Sequence, residues 1–255
     1  WSDKSESELV DILDKVCEEK IEHIIQQGYD RLADVTRAYD NKMKMEREVI
    51  GQGVFLQKKR YVIRMFDNEG VRFAEPELKI TGHEANRSDI PHWGRNRMKD
   101  LLSAMFVVSE SEIHDMISQY WNEFLQAPFD DIASTTSVQN LAKYRTAGGY
   151  AKGTPKHVKG ALMFNKLLND KQIAHMHRPI QDGEKVKLLP LHEPNPIGTN
   201  AIAYTDHLPE EFGLHRYIDK KSQFQSILEE PVDRVLSTFG WSTQKRVDIL
   251  EELFG

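Results

Sequence analysis

The stretch FLQKKRYVIRMF, residues 55–66, places Lys58, Lys59 and Arg60 ahead of Tyr61 at the start of an alternating run. A basic cluster there is either a solvated guard on a sheet edge or a grip on phosphate. A second candidate is TAGGYAKGTPK, residues 146–156, followed by His157 and Lys159. Phosphate cradling of the P-loop kind needs Gly-Lys-Ser/Thr at the opening of a helix, and Lys152-Gly153-Thr154-Pro155 has the order reversed. The glycines would instead let backbone N–H groups approach a phosphodiester while Lys152, Lys156 and Lys159 add charge. The alternative is an ordinary surface loop.

Other chemistry-bearing residues lead less far. His175-x-His177 would put two imidazoles on one face of a strand, but metal sites want three or four ligands and no Cys or acidic partner stands at useful spacing. Surface histidines are the simpler reading. Glu46 and Glu48 share a predicted strand, which suits acid/base work, a divalent metal in a nuclease, or a solvated edge. Two strand carboxylates without a further acid seldom hold two metals. No Gly-x-Ser-x-Gly nucleophile motif occurs. The terminal KRVDILEELFG groups Ile249, Leu250, Leu253 and Phe254. They form either a last helical turn docked on its own core or a short peptide that enters a partner's pocket.

The elements that must position these groups alternate in type. Ser5-x-x-Glu8 is a capping box, and apolar residues at helical spacing predict one long helix, or two in series, over about 6–39. Its charged face reads as solvated surface. KMKMEREVI, 42–50, alternates like a strand that Gly51 and Gly53 break. RYVIRMF, the turn DNEG (67–70) and VRFAEPELKI form a β-hairpin. In a strand, only one of Lys58 and Lys59 can share a face with Arg60, unless the strand has not yet begun. Helices are expected over about 91–108 and 110–126, with Ile113, Ile117, Tyr120, Trp121 and Phe124 inward, and again over 157–170. Strand-like runs follow in 183–204, and the last 40 residues return to helix.

Composition bounds the class. A chain of 255 residues with 39% hydrophobic and 29% charged residues is globular rather than disordered. No apolar run reaches the roughly 18 residues of a membrane span, and the polar, acidic start WSDKSESE is not a signal peptide. A start on Trp leaves open a trimmed protein or a piece of a longer one. The single Cys17 excludes an internal disulfide and a Cys-based zinc site, and fits a reducing compartment. The formal net charge of −6 argues mildly against nucleic acid, but the signs are segregated. No acidic residue lies between Asp131 and Asp170, a span that holds Lys143, Arg145, Lys152, Lys156, Lys159 and Lys166. The first 40 residues hold eleven acids against five bases.

Several collinear segments resemble the C-terminal third of family B DNA polymerases of T-even-like bacteriophages. They are KKRYVIRMFDNEGVRFAEPELKITG (58–82), GEKVKLLPLHEPNPIGTNAIAY (183–204), MEREVI (45–50), LAKY (141–144), TPKHVKG (154–160) and the ending LEELFG. The resemblance implies an α+β fold: a long N-terminal helix and β-hairpin completing a polymerase palm over 1–82, then a mainly helical thumb with a small β portion over 83–255. It implies primer-template contact by Lys58, Lys59, Arg60 and Tyr61. Arg87 stands where the family has Lys, and a phosphate contact is expected there. Pro155, His157 and Lys159 would belong to a thumb surface along the duplex minor groove, with Lys152 and Lys156 beside them. The tail, about 245–255, would bind a sliding clamp through Ile249, Leu250, Leu253 and Phe254.

The family's catalytic aspartates lie upstream, the second in a Tyr-Gly-Asp-Thr-Asp-Ser motif, and no Asp-Thr-Asp occurs here. The resemblance therefore implies a chain that is not active alone. A separate upstream chain or region would supply exonuclease, fingers and catalytic palm and would bind most of the Mg²⁺. Glu48 matches an accessory carboxylate near the family's metal site. The expected setting is the cytoplasm of a bacterial host, with no membrane partner. A non-enzymatic DNA-binding or scaffold protein derived from a polymerase thumb is the alternative.

Overall fold

The computed structural model describes residues 3–245. The fold is α+β, and the chain divides into two compact units, Trp1–Gly82 and His83–Gly255.

The first unit opens with helix α1 (Glu6–Val16). Its capping box is formed: the Glu8 N–H donates to Ser5 Oγ and the Ser5 N–H to Glu8 Oε2. The helix continues through wider π-type turns (Cys17–Glu22) into α2 (His23–Thr36), which ends at Arg37 in the left-handed region. An antiparallel meander follows: β1 (Val49–Gln57), β2 (Arg60–Asn68) and β3 (Val71–Thr81), in that spatial order. The strand expected over 42–50 thus begins only at Val49 and runs through Gly51 and Gly53 rather than stopping at them. A Cβ on Gly51 would sit 2.4 Å from the Arg64 carbonyl oxygen of β2. Here glycine permits close strand approach at a register shift instead of ending the strand.

Val10, Ile50, Val54, Val62 and Met65 form this unit's core. The acidic face of α1 is not merely solvated, as the sequence suggested. Glu6 pairs with Arg64 at 2.7 Å, Asp11 with Arg72 at 2.9 Å and Asp14 with Arg47 at 2.7 Å. Arg47 also reaches Asp67, only 1% exposed, at 2.5 Å, and the Gly70 N–H donates to the same carboxylate at 3.0 Å. Burial alone would raise the Asp67 pKa, but these donors, with Arg72, hold it below the ordinary range.

In the second unit, α3 (His92–Ala104) and α4 (Glu110–Gln126) form a helical pair, α4 starting at a Ser109–Glu112 capping box. After a single turn α5 (Phe129–Ile132) come β4 (Ser134–Ser137), the one-turn α6 (Leu141–Tyr144), and a small hairpin of β5 (Arg145–Thr146) and β6 (Gly149–Tyr150). The long helix α7 (Lys156–Asp170) packs on β8 (Ala201–Tyr204), the edge of a sheet ordered β4-β7-β8, with β7 at Lys185–Pro190. Gly160 sets that approach, since a Cβ there would lie 2.7 Å from the Ala203 nitrogen. Helices α8 (Lys220–Phe224) and α9 (Glu230–Leu236) close the unit, joined by π-type turns. Trp93, Trp121, Phe124 and Phe224 cluster edge-on and stacked between α3, α4 and α8.

Candidate nucleic-acid interface

On the first unit, Lys58 and Lys59 are the two-residue turn between β1 and β2, since Gln57 pairs with Arg60. The strand has not begun at these lysines, so its alternation does not force them onto opposite faces. Lys59 adopts φ +62°, a conformation unusual for a residue with a side chain. Gly82 makes this possible from below: a Cβ there would lie 2.3 Å from the Lys59 carbonyl oxygen. Both lysines are exposed, and among the described residues neither makes a salt bridge.

Behind the turn, Phe55 and Tyr61 face each other across the strands with ring centroids 5.7 Å apart, and Phe55 is 71% exposed. Sequence reading did not single out Phe55, because only the β1–β2 register brings it opposite Tyr61. Arg60 is half-buried at the start of β2. Two cations beside an aromatic pair suit phosphate contact with sequence-tolerant packing on sugar or base.

The carboxylates expected near metal do not converge. Glu48 lies just before β1 and accepts from Lys79 Nζ of β3 at 2.5 Å, a bond that raises the Lys79 pKa. Glu46 pairs with Lys44, and neither acid lies on a strand. Among the described residues no group of three or more His, Cys, Asp or Glu is arranged to hold a metal ion. The described residues by themselves therefore do not assemble a donor set that fits a Mg²⁺ site.

On the second unit, the basic residues gather at the start of α7. Pro155 is its N-cap and offers no side-chain acceptor, and no acidic residue lies in the first turn. Lys156, His157 and Lys159 stand there instead. Cations at a helix N-terminus are electrostatically unfavourable, whereas an anion there meets free N–H groups and the positive end of the dipole. Although Lys156 reaches the surface, desolvation lowers its pKa; Asp219 opposes this and Lys159 adds to it. Lys159 Nζ lies 5.1 Å from the centre of the Tyr150 ring. Lys152 is exposed in the turn leading to α7, next to Gly153 with φ +81°. Lys166 lies on the same helix and donates to the Gly148 carbonyl of the β5–β6 turn at 3.3 Å.

Other expected residues fare differently. Arg87 is forked onto Asp89, with Nε–Oδ1 at 2.9 Å and Nη2–Oδ2 at 2.5 Å, so a phosphate would have to compete with that carboxylate. His175 and His177 lie in turns rather than on a strand, and the His177 ring faces His207 with centroids 5.3 Å apart. The tail residues Ile249, Leu250, Leu253 and Phe254 lie outside the described residues.

No family profile matches the chain. It is 29% identical, over 265 aligned residues and 99% of its length, to the DNA-directed DNA polymerase of Enterobacteria phage T4. It is 33% identical, over 204 residues and 76% of its length, to the DNA-directed DNA polymerase of Escherichia phage RB69. The chain is homologous to these T4-like polymerases. The match covers 29% of the T4 protein and 22% of the RB69 protein, so the chain spans well under a third of either relative. Among the described residues no helix is long and apolar enough to cross a membrane.

Proposed function

We propose that this chain is the C-terminal portion of a replicative family B DNA polymerase, acting as a grip on primer-template duplex. Residues 1–82 complete the palm and 83–255 form the thumb. The observation that carries this reading is the Lys58–Lys59 turn: two exposed lysines without an acidic partner among the described residues, backed by the Phe55–Tyr61 pair. The α7 start, with Lys152, Lys156, His157 and Lys159, supplies a second grip. Neutralising phosphates there releases counterions and gives affinity without sequence preference.

The chemistry belongs elsewhere in the assembled enzyme. Phosphoryl transfer in polymerases runs through paired metal ions held by carboxylates. In this reading those carboxylates come from an upstream chain or region that also carries fingers and exonuclease, and Glu48 is at most accessory. The exposed apolar face of α2 and its exit supports such a partner: Ile24 is 67% exposed and Val35 82%, with Leu32, Met43 and Met45 also exposed. The tail, about 245–255, tethers the enzyme to a sliding clamp, and the working site is the cytoplasm of an infected bacterium.

The test is a binding and extension assay. The purified chain binds a primer-template duplex with strong salt dependence and incorporates no nucleotide; adding the upstream polymerase region restores incorporation. Incorporation by the chain alone, or no duplex binding at low salt, refutes the reading.

A further inference from the structure

A cavity of about 330 Å³ opens in the second unit between the β5–β6 hairpin and helix α7. Leu162, Asn165, Lys166 and Asn169 line it, at the i, i+3, i+4 and i+7 spacing of one face of α7. Arg145 and Thr146 line it from β5, and Pro179 from the chain beyond α7. Its walls are fixed. Gly149 is buried at φ +125°, and a Cβ there would lie 3.0 Å from Met163 Sδ, so glycine lets the hairpin rest on α7. Asn165 Nδ2 donates to the Ile180 carbonyl at 2.8 Å, and the Ile180 N–H donates to Asn165 Oδ1 at 2.7 Å. That pair of bonds ties the segment at 179–180 to the helix. The remaining polar groups are little committed. Arg145 is exposed and makes no salt bridge among the described residues. Lys166 donates only to the Gly148 carbonyl among them, at 3.3 Å, and the exposed Asn169 amide makes no hydrogen bond there. None of the described residues lining the cavity is acidic.

We propose that this cavity holds one nucleotide of an unpaired nucleic-acid strand, its phosphate on Arg145 and Lys166 and its base against Leu162 and Pro179. Size and chemistry favour that ligand together. The volume falls at the low end of the roughly 300–1,000 Å³ of small-molecule sites, which is more room than a bare phosphate needs. Two cations suit a phosphate, and a charged acceptor competes well with the neutral Gly148 carbonyl for Lys166. The Asn169 amide and the Thr146 hydroxyl can each donate and accept, as the edge of a base does. A paired base reaches such a cavity only by leaving its stack and its partner, whereas an unpaired base is already free. The surroundings are those of the second grip: Arg145 pairs with Tyr150, and Lys159 lies 5.1 Å from the centre of the Tyr150 ring. The choice of nucleic acid over another phosphorylated ligand rests on the duplex-grip reading; the cavity and its cations do not.

The experiment uses the whole chain and an oligothymidylate of about ten nucleotides carrying one 5-iodouracil, read by anisotropy and by photocrosslinking with peptide mapping. The strand crosslinks to residues 145–149 or to the facing side of α7. Arg145→Gln with Lys166→Gln weakens strand binding about tenfold or more and flattens its salt slope by about 1.4, two contacts at about 0.7 each. The same pair changes blunt-duplex affinity less than about twofold at about 150 mM KCl, where charges that touch no phosphate are screened. Asn169→Asp, which puts a carboxylate at the cavity, also weakens strand binding, and circular dichroism is unchanged for every variant. Thymidine monophosphate suppresses the crosslink at a concentration where inorganic phosphate does not. Indifference of strand binding to the double variant, or a crosslink confined to other residues, overturns the proposal. So does an equal loss on blunt duplex, which makes these cations part of the duplex track. Equal suppression by inorganic phosphate overturns it in favour of a plain anion site, and tighter binding of thymidine monophosphate than of the strand overturns it in favour of a free nucleotide. Blunt duplex is a separate arm: strand binding that needs Arg145 and Lys166, with no duplex binding at low salt, refutes the grip and upholds this site.

Discussion

Replacing Lys58 by Gln and Lys59 by Asn removes both cations from the β1–β2 turn while preserving what the turn demands. Lys59 sits at φ +62°, and asparagine tolerates the left-handed region well, so the hairpin should form unchanged. Neither lysine is held by a carboxylate among the described residues, so both are available to phosphate at no cost in broken ion pairs. Each phosphate contact contributes about 0.9 to the slope of log affinity against log salt, so losing two flattens it by about 1.8. Between 50 and 200 mM KCl, a fourfold change, the native chain should lose about 12-fold more affinity for duplex than the double variant does. The assay is anisotropy of a labelled primer-template across a KCl series, with circular dichroism to verify folding. Arg87→Gln is the internal control. Its guanidinium is already forked onto Asp89, so its slope should change by much less than 0.9. Parallel salt lines for the native chain and the double variant would remove the turn from the interface.

Two further outcomes follow from the charge pairs. Arg47→Met leaves Asp67 buried with only Arg72, at 3.4 Å, and the Gly70 N–H, and should destabilise the first unit by about 3 kcal/mol in urea unfolding at neutral pH. Because the folded Asp67 pKa is depressed, its stabilisation is present above the unfolded value of about 3.9 and is lost as pH falls through the folded value; Asp67→Asn should flatten that acid limb of a stability–pH profile. Lys156 is the opposite case: its folded pKa is lowered, so its charge opposes folding below that pKa and the penalty fades as pH rises through it. Lys156→Gln should therefore weaken duplex binding, with a salt slope smaller by about 0.9, yet leave the melting temperature at neutral pH equal or higher; a clear fall in melting temperature would contradict this.

Features governed by neighbours in the chain were legible without the structure. The capping boxes at Ser5 and Ser109, the DNEG turn and the inward face of α4 all depend on side chains within a few residues of one another. The segments resembling phage polymerases led to the same relatives that the whole-chain comparisons return. What was misread depends on distant partners. Gly51 looked like a strand end because nothing nearby reveals the Arg64 carbonyl that requires it. The acids of α1 looked solvated because the arginines that pair with them lie 33–61 positions away. His175 and His177 alternate like strand residues, yet they lie in turns.

The same distinction runs through the candidate interface. The sequence by itself determined which side chains could meet phosphate, since charge and spacing are written in it. Only the tertiary structure decided which of those charges remain available. It left Lys58 and Lys59 on a bare turn, set Phe55 beside Tyr61, and tied Arg87 to Asp89 and Glu48 to Lys79. A cation's availability depends on the carboxylates that folding brings within a few ångströms, and composition and periodicity do not encode that distance.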